Sequence, residues 1–117
     1  MAKDVTIFHN PNCGTSRNVL AALREKGLQP KVVEYLKVGW TERQLKDLLG
    51  KMGKSARDVL RVRGTPAEEL GLTKPGVSDA EILRAMTEHP ILVERPIVVT
   101  DRGADLCRPA DRLEALV

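Results

Sequence analysis

Residues 5–27 read VTIFHNPNCGTSRNVLAALREKG. The first four, Val5 to Phe8, are β-branched or aromatic, and they predict a short strand. Asn10-Pro11-Asn12 is a turn cluster. From about Thr15 to Lys26 the pattern becomes helical, with Val19, Leu20 and Leu23 on one face. Gly27 then supplies a C-terminal stop. Lys31 to Leu36 (KVVEYL) reads as a second strand. Strand, helix and strand in this order make a β-α-β unit, whose strands are normally parallel with a right-handed crossover.

The chain changes character beyond this unit. Thr41 with Gln44, and Ser78 with Glu81, are capping-box patterns that mark helix starts. Leu45, Leu48, Leu49 and Met52 form one apolar stripe after the first box, and Ile82, Leu83 and Met86 form another after the second. Ala56, Val59 and Leu60 suggest a short helix between them that ends in Arg61 and Arg63. Gly71 to Gly76 reads as a loop, and the later helix stops at His89-Pro90. The C-terminal part returns to β. Pro96 to Thr100 is a strand, Asp101-Arg102-Gly103 a tight turn, and Ala104 to Cys107 the hairpin partner. Pro109 can open a last helix through Val117, because its missing N–H costs nothing there. The order β-α-β, helical block, β-β-α predicts an α/β fold with a thioredoxin-like core and an inserted helical block. We expect a single domain over residues 1–117, a length that suits one core.

Composition excludes several function classes. A net charge of +3 is too small for a phosphate-backbone stripe, and one each of Trp, Tyr and Phe offers no base-stacking platform, so nucleic acid is not an expected partner. No apolar run approaches the roughly 20 residues of a membrane span. The N-terminal MAKDVTIFHN lacks the apolar stretch of a signal peptide. Two cysteines far apart, Cys13 and Cys107, do not make a secreted disulfide scaffold, so the expectation is a cytoplasmic protein with reduced thiols. Two cysteines and two histidines also lack metal-site spacing, so no metal and no bound cofactor are expected.

Cys13 carries the chemistry. Cysteine reacts as the thiolate, so its pKa must fall. A strand-to-helix turn offers unpaired N–H groups and the positive end of a helix dipole, and Cys13 lies at such a turn. Gly14 allows close backbone approach, Thr15 and Ser16 add donors, and Arg17 adds positive field one turn along. The residues point to a nucleophilic thiolate in an anion-binding loop, against the alternative of a small buried hydrophobe. Ser16 stands where C-x-x-C would place a second cysteine, so a resolving thiol must come from elsewhere. Cys107 could resolve an oxidised Cys13 internally, but it falls in an apolar hairpin pattern that favours a buried thiol.

Four blocks, in this order along the chain, carry a resemblance: HNPNCGTSRN (9–18), EELG (68–71), HPILVERPIVVT (89–100) and LCRP (106–109). Together they resemble the glutaredoxin-coupled, ArsC-type arsenate reductase family. The resemblance implies that Cys13 attacks arsenate and that Arg61, Arg95 and Arg108 bind the oxyanion. Guanidinium groups suit that task because they grip tetrahedral oxyanions with paired hydrogen bonds. His9 would hold the loop or lower the thiol pKa, and Pro96 matches the place where thioredoxin-like folds put a cis-proline. The resemblance gives Cys107 no catalytic duty. It further implies glutathione as the external thiol and co-substrate, with glutaredoxin reducing the mixed disulfide that results.

Two other functions fit the same fold family. Spx-type regulators bind RNA polymerase, but their redox switch usually needs the C-x-x-C that Ser16 denies, and they lack the C-R-P block at 107–109. A thiol oxidoreductase with a non-arsenate substrate would share Cys13, but a protein disulfide needs no cage of three arginines.

Overall fold

The structure is a computed structural model that describes residues 4–108 and 110–116. The strand foreseen at Val5–Phe8 forms as β1, Thr6–His9. Helix α1 spans Gly14–Glu25 and buries Ser16, Val19, Leu20 and Leu23, the spacing that turns one helical face inward. Gly27, at φ +79°, ends it, and the Leu28 amide returns to the Leu23 carbonyl at 3.2 Å.

Strand β2 is shorter than its sequence suggests. It covers Lys31–Glu34, and Tyr35–Val38 turns into a short helix, α2. The reason lies in its partner. β2 pairs with β1 in parallel, and the last matched residues are His9 and Glu34. Beyond His9 the neighbouring chain bends into the Asn10-Pro11 turn, and proline has no N–H to donate, so Tyr35 has no ladder to continue. Strands β3 (Ile97–Thr100) and β4 (Gly103–Leu106) form the foreseen hairpin. β3 also pairs antiparallel with β1, which gives a four-stranded mixed sheet in the order β2-β1-β3-β4. This is a thioredoxin-like α/β fold. The two inner strands bury Ile7, Phe8, Ile97 and Val98, as unbroken apolar runs should in the middle of a sheet.

The chain divides into two compact units, one holding the residues up to Val38 and from Arg95 onward, the other Gly39–Glu94. The first unit contains the sheet and α1. Its core joins Ile7 and Val98 to Val19, Leu20 and Leu23 of α1 and to Leu113 and Leu116 of the C-terminal segment. Within that segment, Ala110–Ala115 forms a 3-10 helix rather than the α-helix the pattern suggested. The foreseen helix start at Pro109 and end at Val117 lie outside the described residues.

The second unit is the inserted helical block. Helix α3, Glu42–Met52, is capped by Thr41, whose side chain accepts the Gln44 amide at 3.1 Å. Helix α4, Asp79–Glu88, is capped by Ser78, which accepts the Glu81 amide at 3.2 Å. The two helices pack against each other, and each buries one apolar face, Leu45, Leu48 and Leu49 on α3 and Ile82, Leu83 and Met86 on α4. The short helix foreseen to end in Arg61 and Arg63 is only one 3-10 turn, Arg57–Val59. Leu60 is extended instead, bridging Val93, while the Arg61 amide donates to the Leu92 carbonyl at 2.7 Å and the Glu94 amide to Val59 at 2.8 Å. Three backbone partners on the 92–94 segment outweigh another helical turn.

Candidate active site

Four elements of the first unit converge near Cys13: the end of β1, the start of α1, the segment before β3 and the turn after β4. Cys13 is the N-cap of α1, with extended backbone, and its amide donates to the Asn10 carbonyl at 3.0 Å. Only 8% of the residue is exposed. Burial alone would raise the thiol pKa. The Ser16 amide, the Arg95 and Arg108 guanidinium groups and the positive charge of Arg95 together outweigh it, and the pKa falls below the ordinary 9.0. The Ser16 amide, at the start of α1, acts on the sulfur as a backbone hydrogen-bond donor. Cys13 is therefore held toward the thiolate rather than buried as an inert hydrophobe.

The two arginines play different parts. Nη1 of Arg108 donates to Cys13 Sγ at 3.4 Å and to the Arg95 carbonyl at 3.2 Å. Arg95 is 8% exposed, and its Nε and Nη1 have no hydrogen-bond partner among the described residues. Buried donors without partners are costly, and a guanidinium in that state is suited to receive an anion. The peptide bond between Arg95 and Pro96 is cis. The Pro96 carbonyl accepts the Cys107 amide at 2.9 Å, which ties the segment carrying Arg95 to the one carrying Arg108.

The loop beneath the thiol is fastened from inside. Ser16 is fully buried. Its hydroxyl lies 2.6 Å from His9 Nδ1 and accepts the Asn10 amide at 3.1 Å. Its side chain thus faces the interior, and only its backbone amide serves the sulfur. His9 is buried too, and burial drives its pKa below 6.5, with Arg24 and Arg17 adding to the effect and Glu34 opposing it. A neutral His9 holds the loop, and the groups that lower the thiol pKa are Ser16, Arg95 and Arg108. Arg17 closes the loop from outside, donating from Nη1 to the Pro11 carbonyl at 2.8 Å. Gly14 and Thr15 complete the first turn of α1. Asn10 escaped the sequence reading as a site residue. Its Oδ1 accepts the Asn12 amide at 2.9 Å, a local turn that the Asn-Pro pair could have signalled.

Arg61 belongs to the second unit, where it is engaged with a carboxylate. Its Nη1 meets Glu94 Oε1 at 2.8 Å, and its Nε donates to the Arg63 carbonyl at 3.2 Å. Glu94 was not foreseen, because no local spacing links it to Arg61. Cys107 is fully buried, and burial together with the Asp105 charge pushes its thiol up to about 12, so it stays protonated. Among the described residues no group of His, Cys, Asp and Glu is placed to hold a metal ion, and no helix is long and apolar enough to cross a membrane.

Comparison with known proteins places this arrangement in a family. An arsenate reductase of Rhizobium meliloti (strain 1021) is 51% identical over 107 residues, covering 92% of this chain and 76% of its own. One from Yersinia enterocolitica is 47% identical over 108 residues, with 92% and 77% coverage. The structure of an arsenate reductase from Vibrio cholerae superposes over 100% of both chains with a TM-score of 0.94 at 36% identity. The model of the ArsC family matches residues 8–116, and the chain belongs to that family.

Proposed function

We propose that this chain reduces arsenate to arsenite with Cys13 as the nucleophile. The observation that carries the reading is the contact of Arg108 with the Cys13 sulfur, beside a buried Arg95 with unpartnered donors. Arsenate is a dianion near neutral pH. Its oxygens would take up the Arg95 and Arg108 donors and the N–H groups at the start of α1, bringing arsenic to the sulfur. The Cys13 thiolate forms the sulfur–arsenic bond as one arsenic–oxygen bond breaks, and the departing hydroxyl takes a proton from solvent and leaves as water. The family resemblance would make Arg61 a third oxyanion-binding residue; within its own unit its guanidinium is paired with Glu94.

Resolution uses an external thiol. Cys107 is buried and protonated, and Ser16 cannot form a disulfide. Glutathione attacks the adduct, and Cys13 and glutathione each give one electron, which together reduce As(V) to As(III). Arsenite leaves, and the two sulfurs remain as a mixed disulfide. Glutaredoxin then takes the glutathione and restores Cys13.

The test is arsenate-dependent NADPH oxidation through glutathione reductase, with glutathione and glutaredoxin present. Turnover should vanish in Cys13→Ser and in the absence of glutaredoxin. A folded wild type without turnover would overturn the proposal.

A further inference from the structure

Arg108 sits on a turn that is fastened on both sides. Before it, the Cys107 amide is bound to Pro96 and the Arg108 amide donates to the Leu106 carbonyl at 3.0 Å. After it, the Ala110–Ala115 helix carries Arg112. Nε and Nη2 of Arg112 both meet Asp105 Oδ2, at 3.0 and 2.9 Å. Asp105 lies on β4 opposite Val98, and its Oδ1 accepts the Leu106 amide at 2.8 Å. The carboxylate thus holds the strand end with one oxygen and the returning helix with the other.

We propose that Asp105 and Arg112 are positioning residues that clamp the turn carrying Arg108 and so set where its guanidinium lies against the Cys13 sulfur. The consequence for substrate binding rests on the function proposed above, while the consequence for the thiol does not. Neither residue is among the groups acting directly on Cys13. Both stand outside the sequence blocks that carry the family resemblance. An exposed ion pair is ordinarily worth little. Here two nitrogens share one oxygen, the Asp105 side chain is 20% exposed and that of Arg112 47%, and the pair brackets a residue in contact with the nucleophile. A guanidinium on a loosened turn is misplaced by fractions of an ångström, and catalytic groups are sensitive on that scale.

The sign of the effect separates a clamp from a simple electric field. Through charge alone, removing Asp105 would favour the thiolate and removing Arg112 would disfavour it. Through the clamp, either removal loosens Arg108 and disfavours the thiolate.

The experiment compares wild type with Asp105→Asn, Arg112→Gln, the double variant and Arg112→Lys. It measures the pH profile of Cys13 alkylation by iodoacetamide, the KM and kcat for arsenate, and the unfolding midpoint. Both single variants should alkylate with an upward-shifted pH midpoint and raise KM roughly two- to fivefold. The double variant should be no worse than either single one, and Arg112→Lys should recover part of the loss. Opposite shifts in the two single variants would overturn the proposal, as would additive losses. So would wild-type alkylation and KM in variants whose unfolding midpoint has fallen. A wild type that never turns over arsenate would contradict the proposed function, and alkylation alone would still decide the clamp.

Discussion

Nη1 of Arg108 donates to the Sγ of Cys13 across 95 positions of sequence, at 3.4 Å. The contact exists because β4 lies beside β3, and β3 beside β1, the strand that delivers Cys13 to the start of α1. Three adjacent strands thus carry a nucleophile and its positive partner to one end of the sheet.

Removing that partner should weaken the thiolate. Arg108→Ala is expected to move the pH midpoint of Cys13 alkylation upward. It should also lower kcat/KM for arsenate by about ten- to a hundredfold, the range of a charge-assisted hydrogen bond. Alkylation kinetics and steady-state assays check the two effects separately. An unchanged midpoint would mean that the Arg108 contact does not act on the thiol.

The two cysteines should behave oppositely. Burial drives the Cys107 thiol up to about 12, whereas the Cys13 thiol lies below its ordinary 9.0. Iodoacetamide at neutral pH should therefore label Cys13 alone, as peptide mapping can show. Cys107→Ser should leave turnover largely unchanged, whereas Cys13→Ser should abolish it and retain part of the oxyanion binding seen by calorimetry. Loss of turnover in Cys107→Ser would contradict the external-thiol scheme.

The His9–Ser16 contact should matter for stability and its pH dependence. Ser16→Ala leaves buried His9 and Asn10 groups without their hydroxyl partner, at a cost of about 1–3 kcal/mol. Burial lowers the His9 pKa in the folded chain, so the unfolded chain takes up the proton first as pH falls. The stability this supplies is complete above the ordinary 6.5 and is lost as pH drops from there through the folded value. Denaturant titrations from pH 7 downward should thus show a steeper loss in wild type than in His9→Asn. Equal slopes would contradict a buried, neutral His9.

The core joining α1 to the sheet offers a simpler check. Leu23 is fully buried in it, and Leu23→Ala should cost about 2–5 kcal/mol, read from the denaturation midpoint at constant slope. A loss below 1 kcal/mol, roughly the scale of a surface change, would mean that this face is not packed as described.

Local patterns made most of this legible. Val19, Leu20 and Leu23 revealed the buried face of α1, and the Thr41 and Ser78 caps marked two helix starts. What stayed hidden depends on partners distant in sequence. Tyr35 is a good strand former, yet it turns helical where β1 stops offering a ladder. Leu60 fits a helical stripe, yet pairs with Val93. Arg61 was legible as a cation, but its Glu94 partner was not, since the pair forms only when two extended segments meet. Ser16 was readable as the residue that replaces a second cysteine, but the inward turn of its hydroxyl depends on the burial of His9. The Asp105–Arg112 pair carried no signal either, because one residue lies within β4 and the other in a 3-10 helix whose geometry the apolar spacing does not determine.

The measurement that tests the account most directly is a single turnover without glutaredoxin. The chain is mixed with arsenate and glutathione, then analysed by mass spectrometry and peptide mapping while released arsenite is counted. The account predicts glutathione attached to Cys13 only when arsenate is present, with one arsenite released for each adduct. An adduct on Cys107, or arsenite released without any adduct on Cys13, would contradict it.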